Sequence, residues 1–261
     1  MIYALNLTCD RDWDLRTLML ETYTKQSGFS SWMSVNTQCE CPEYGNGAGW
    51  EASMIKLSYI RKMLNNFPVK DDDFILSVDS DVVFTSPEVF KYIKPEYGII
   101  GTRHQQPFPT MFGLWGHMSG ALIFIRGDVA KRITALPESE LNMIRQKHFK
   151  GFNLTENEDV VLSYLCQYVG ANWFDLGSVP GLSSGDFESD IDDILDYQRI
   201  KKLPMPLMPE AANIRHRRLK EAKAHIRSFY HLNYCPKSFL GELVKGKWDI
   251  PRILKMKGIE L

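Results

Sequence analysis

The chain has 261 residues, 44% of them hydrophobic and 24% charged, with a formal net charge of −1. That supplies a sizeable core for one large domain or two small ones, and it excludes a general nucleic-acid binder, which would be distinctly basic. Five cysteines (Cys9, Cys39, Cys41, Cys166 and Cys235) form an odd, scattered set unlike a disulfide framework, so a reducing compartment is expected. No run approaches the roughly 20 apolar residues that span a bilayer, and residues 1–7 are too short for a secretory leader. The expectation is a cytoplasmic protein with no transmembrane segment.

Residues 2–7 read as a first strand, then a polar loop through Thr8 and Arg11, then a helix carrying Leu15, Leu18, Met19 and Tyr23. A short strand is expected within residues 29–35, followed by a loop over 36–49 rich in Gly, Pro, Asn and Cys. Residues 50–65 read as a helix with Met54, Leu57, Ile60, Met63 and Leu64 on one face and Lys56, Arg61 and Lys62 elsewhere.

Residues 74–78 are an apolar run with the length of a strand buried on both faces, and it ends in Asp79-Ser80-Asp81. In an extended chain residues two apart share a side, so the two carboxylates are expected to project together. Two like charges there call for a cation between them. A divalent ion with oxygen ligands suits the carboxyl end of a strand in an open α/β sheet. An acidic surface turn is the plainer alternative.

Ser86-Pro87-Glu88 is a helix start. Strands are expected over 97–102 and 117–125, separated by a loop with Phe108, Phe112 and Trp115. Helices are expected over 128–135, 139–148 and 155–168, the last beginning with Glu156, Glu158 and Asp159, and a final strand over 171–176. Beyond it come a loop, an acidic stretch, a proline-rich stretch and a basic helix over 214–227. The division expected is a core over 1–180 and a mainly helical extension over 181–261 packed on it.

The run of alternating strands and helices up to Asp79-Ser80-Asp81 resembles the nucleotide-sugar-dependent glycosyltransferases of the GT-A fold, over residues 1–176. The resemblance implies an α/β fold with a Rossmann-like mixed sheet flanked by helices. It implies that Asp79 and Asp81 hold Mn²⁺ or Mg²⁺ against the diphosphate of a nucleotide-diphosphate sugar, with a glycan or other glycoconjugate hydroxyl as acceptor. Met118-Ser119-Gly120-Ala121 resembles the family segment whose small residues let the sugar approach the backbone. Asn157-Glu158-Asp159-Val160 resembles the acidic motif opening a helix near the acceptor, where the aspartate is the general base in inverting members. Asp159 and Glu158 are therefore the catalytic candidates, against a purely electrostatic role at a helix start.

His231 and Lys237 resemble a histidine that completes the metal shell and a lysine that contacts phosphate in retaining, glycogenin-like members. Inversion or retention stays open, as does the choice of His231 or water as third ligand. At the level of the fold, Leu7, Thr8, Arg11, Lys56 and Ser80 occupy positions where members hold the base and ribose. Basic residues between Arg215 and Lys237 suit a lid over the diphosphate, a solvated helix, or peripheral contact with an anionic membrane.

Two other readings share these letters. Haloacid-dehalogenase-like phosphatases also place an aspartate pair after an apolar strand, which would make Asp79 a nucleophile. Gly185-Asp186 and Asp190 resemble their later motif, but the residues before Gly185 read as loop and not as the buried strand that motif follows. The other is a non-catalytic carbohydrate-binding protein on a transferase fold.

Overall fold

Seven consecutive residues of β1 (Ile2–Thr8) are buried, as are all five of β3 (Phe74–Val78), so both strands lie inside a sheet covered on its two faces. The computed structural model describes residues 1–8, 13–28, 31–36, 49–80, 82–84, 86–109, 115–151, 156–179, 185–186 and 229–231. The remaining strands are β2 (Trp32–Asn36), β4 (Val82–Phe84), β5 (Ile99–Pro109), β6 (Trp115–Arg126), β7 (Trp173–Asp175), β8 (Gly185–Asp186) and β9 (Phe229–His231). The helices are α1 (Trp13–Ser27), α2 (Trp50–Asn66), α3 (Gly127–Thr134), α4 (Glu138–Ile144) and α5 (Glu158–Tyr168).

Six strands form one mixed sheet in the order β2-β1-β3-β6-β5-β7. β1 runs parallel to β2 and β3, β6 runs antiparallel to β3 and β5, and β7 runs parallel to β5. Side chains alternate across it. Tyr3, Leu5, Leu7, Ile75, Ile123 and Ile125 join one apolar cluster with Leu57, Ile60 and Met63 of α2 and Val161, Leu162 and Leu165 of α5. Ile2, Ala4, Phe74, Leu76, Val78, Leu122 and Phe124 join the other with Met19 and Tyr23 of α1 and with Val82 and Phe84 of β4. The expected α/β architecture is what the chain adopts.

The structure corrects several local expectations. The expected helix over 139–148 is α4 followed by a wide π-type turn, Arg145–Lys150, and the Ser86 start leads into a 3₁₀ segment, Pro87–Tyr92. Residues 171–176 are not the last strand. β9 pairs antiparallel with β4 and parallel with β8, giving a second, three-stranded sheet in the order β4-β9-β8. Arg11, Asp81, Phe112, Lys237 and the basic stretch over 214–227 lie outside the described residues.

Arg145 ties the approach to α5 back onto α2. Its Nε and Nη2 each donate to Glu156 at 2.8 Å, and its Nη1 donates to Glu51 at 3.2 Å. The Arg145 hydrogen bond, against a smaller opposing effect of burial, holds the Glu156 carboxyl below its ordinary range. A depressed carboxyl contributes stability that is complete above the unfolded value and lost as pH falls through the folded one. Arg145→Gln is therefore expected to cost about 1–2 kcal/mol at neutral pH in a urea titration. The gap between variant and wild type should close as pH falls below the ordinary glutamate range and Glu156 protonates.

Candidate active site

β1, β2 and β3 end on the same edge of the sheet, and antiparallel β6 begins there. One buried side chain ties the three parallel strands together. Asn6 of β1 donates to the Val78 carbonyl at 3.0 Å and to Ser80 Oγ at 3.3 Å, and accepts from Ser34 Oγ of β2 at 3.0 Å. These contacts fix the chain as it leaves β3. Leu7, Thr8 and Ser80, the expected nucleotide contacts, are all buried at this edge.

Asp79 is half-buried immediately beyond β3, and its N–H donates to the Ala121 carbonyl at 3.0 Å. The Val82 N–H then reaches the Asp79 carbonyl at 3.4 Å, closing a turn. The chain thus turns after Val78, and the expectation that the two carboxylates project together falls on Asp81, outside the described residues. β4 follows at once, and its register sets Val82 opposite His231 of β9 and His231 opposite Asp186 of β8. The backbone of the expected histidine is so brought to the residue following Asp81.

β6 swings away from β5 at the same edge. Gly101 pairs with Ile123 but Arg103 pairs with Met118, so residues 119–122 bulge out of the β5 ladder. The Met118 N–H donates to Ser163 Oγ of α5 at 3.0 Å, locking the bulge to the first turns of that helix. A Cβ on Gly120 would lie 2.8 Å from Glu158 Oε1 and 3.2 Å from Asp159 Cβ. The room that glycine leaves is taken by the two catalytic candidates.

Lys56 comes from α2, where it lies on the buried face with Ser53, Leu57 and Ile60 and not on the solvent side. Its Nζ hydrogen-bonds Glu158 Oε1 at 2.8 Å and lies 2.6 Å from Oε2. Burial alone would lower the Lys56 pKa, but Glu158 in contact and Asp79 and Asp159 nearby outweigh it and raise it. The ammonium is charged; Glu158 is in contact with it, and the charges of Asp79 and Asp159 add to the effect.

Asp159 has a different partner. His117 Nε2, at the start of the buried part of β6, lies 3.1 Å from Asp159 Oδ2, and the Val160 N–H donates to Oδ1 at 2.8 Å. Burial would raise the Asp159 pKa, yet the His117 hydrogen bond, the Val160 N–H and the charge of Lys56 hold it below the usual carboxylate range. α5 adds its N-terminal dipole in the same sense. Sequence reasoning missed His117 and Asn6, whose partners lie 42 and 72 residues away.

Among the described residues no group of three His, Cys, Asp or Glu side chains is arranged to hold a metal ion, and no helix is long and apolar enough to cross a membrane. Asp81 and the side chain of His231 are not among them. Asp79, half-buried where the chain leaves β3, is the one described member of the expected cation pair, and its carboxylate is of the oxygen-donor type that a divalent ion takes.

No protein-family model and no curated protein matches the chain. Solved structures similar to it include a glycosyltransferase involved in glycosylation of the major capsid of PBCV-1, at 14% identity and a TM-score of 0.49, covering 94% of this chain and 98% of that one. Mouse xyloside xylosyltransferase 1 is similar at 10% identity and a TM-score of 0.47, covering 89% and 98%. The galactosyltransferase LgtC, in complex with donor and acceptor sugar analogs, is similar at 9% identity and 0.47, covering 98% and 100%. All fall below a TM-score of 0.5, and the functional reading rests on the side chains described above.

Proposed function

We propose that this chain is a metal-dependent glycosyltransferase moving a sugar from a nucleotide-diphosphate sugar to a hydroxyl of a glycan or other glycoconjugate. The observation that carries the reading is the buried Lys56–Glu158 contact beside the Asp159–His117 pair, with the charges of Asp79 and Asp159 also acting on the Lys56 ammonium, near the edge where β1, β2 and β3 end. An open α/β sheet binds ligands at that edge, and a site this rich in carboxylate suits a diphosphate only with a divalent cation between them.

In this reading Asp79 and Asp81 would hold Mn²⁺ or Mg²⁺, with His231, whose backbone pairs opposite Val82, as a further ligand. The cation supplies charge neutralisation for the departing nucleoside diphosphate. Leu7, Thr8, Arg11 and Ser80 line the base and ribose, and Lys237 meets the phosphates. Lys56 holds Glu158 in place and offers the site its positive charge. Asp159, ionised at neutral pH, accepts the hydrogen bond of the attacking hydroxyl. Its low basicity suits a proton transfer that comes late, once bonding to the anomeric carbon has made that hydroxyl acidic. The protein needs no span across a membrane for any of this, and a cytoplasmic location is part of the proposal.

The phosphatase alternative is disfavoured by topology. Gly185-Asp186 lies on β8 of the small sheet, not at the end of a strand parallel to β3 in the large one.

Titration calorimetry of UDP, GDP and TDP with and without Mn²⁺ tests the proposal. One of them should bind only with the metal, and Asp79→Ala should weaken that binding by at least about tenfold. Absence of metal-dependent binding for all three would remove the reading. Hydrolysis of p-nitrophenyl phosphate that Asp79→Asn abolishes would replace it with the phosphatase.

A further inference from the structure

His117 stands outside every motif that suggested a transferase, yet its ring is locked against Asp159. Its side chain is 9% exposed and that of Asp159 22%, with Nε2 and Oδ2 3.1 Å apart. One hydrogen bond, Met118 N–H on Ser163 Oγ, fixes the alignment of their elements, and they lie so close that a Cβ on Gly120 would be 3.2 Å from the Asp159 Cβ. Asp159 sits in the first turn of α5, and its Oδ1 is already engaged by the Val160 N–H. The direction of Oδ2 therefore depends on a donor from another element.

We propose that His117 is a positioning residue for Asp159, whose Nε2–H aims the carboxylate at the acceptor and keeps it ionised. The role at the acceptor rests on the transferase reading above, whereas the pairing rests on geometry alone. The groups around Asp159 are His117 from β6, Lys56 from α2 and Glu158 on its own helix, and the charge of Asp79 acts on the same Lys56. His104 of β5 occupies the register position opposite His117. Burial favours protonation of Asp159, and the direct contact of Lys56 is with Glu158. The contact that opposes protonation most directly is the one from His117.

Removing the donor should raise the Asp159 pKa, so an activity that needs the carboxylate loses its plateau earlier as pH falls. The acid limb of kcat/KM then moves to higher pH. Glutamine at position 117 carries an amide N–H on a side chain of comparable reach and should restore part of the effect.

The test uses the full chain as wild type, His117→Phe and His117→Gln. The Asp159 carboxyl is titrated by ¹³C NMR, assigned with Asp159→Asn, beside a pH profile of metal-dependent donor consumption. In His117→Phe the Asp159 midpoint and the acid limb should both rise by about one pH unit, with kcat reduced more than KM is raised. His117→Gln should fall between. An Asp159 midpoint that stays at its wild-type value in both variants overturns the proposal. Should His117→Phe fail to fold, the ¹⁵N spectrum of the wild-type imidazole decides: Asp159→Asn must move the His117 Nε2 resonance, and an unmoved resonance overturns the proposal equally. If the carboxyl titration moves as expected but the wild type consumes no donor, the pairing stands and the transferase reading is what falls.

Discussion

Lys56→Met is expected to lower stability by about 3–5 kcal/mol and to abolish donor consumption. The ammonium is buried, touches both oxygens of Glu158, and is the charge that Asp79 and Asp159 also face. Methionine keeps the length of the side chain, so the loss measures charge and not a cavity. What remains is a buried carboxylate without its partner, and that penalty exceeds whatever the intact pair contributed. Pairing Lys56→Met with Glu158→Leu removes both charges and should recover part of the stability without recovering activity. Urea midpoints and donor consumption on the single and double variants form a cycle that separates the two effects. The pH dependence has a definite sign. A lysine raised above its ordinary value contributes fully below about pH 10 and loses the contribution only as pH climbs through the folded value, so the loss in Lys56→Met should be constant across neutral pH. A variant within about 1 kcal/mol of wild type would mean that Glu158 is held by something else.

The large sheet was legible because burial on both faces leaves a mark in the sequence. Phe74 to Val78 has room for no polar residue but Ser77, and the strand it forms is buried throughout. The small sheet left no such mark. β8 and β9 have two and three residues, too short for any periodicity, and β9 gains its identity from pairing with β4, whose Val82 lies opposite His231. Register of that kind is set by contacts far apart in the chain, which no local pattern records.

The site was half legible for a related reason. Asp79, Glu158 and Asp159 announce themselves as carboxylates beside apolar runs. Lys56 was assigned to the wrong side of its helix because lysine is almost never buried unless paired, and the pair that makes burial tolerable is 102 residues away. Ser53, Leu57 and Ile60 on the same face were the available signal. Asn6 lies within the expected first strand, and nothing local marks that its amide bridges β2, β1 and the turn after β3. Buried polar residues on interior strands are where a sequence hides its sites, since each must find a partner that only the fold supplies.

Gly120→Ala is the substitution that distinguishes two meanings of the bulge on β6. A small residue there can leave space for a sugar or for the protein's own carboxylates. The structure has Glu158 Oε1 at 2.8 Å and Asp159 Cβ at 3.2 Å from where the new methyl would sit. A glutamate tip usually swings aside at little cost, but Lys56 pins this one through both oxygens. The methyl must therefore break that contact or push the start of α5, which also carries the Asp159–His117 pair. The expected result is a loss of about 1–3 kcal/mol in stability and about 100-fold in kcat/KM, mostly through kcat. Shortening the obstacle should relieve it: in a Glu158→Asp background the same alanine should cost at least about 1 kcal/mol less. Equal costs in both backgrounds would show that Glu158 is not what the methyl strikes. If stability were unchanged and only the donor KM rose, the space at Gly120 would belong to the substrate, because crowding within the protein cannot raise KM while leaving the folded state untouched.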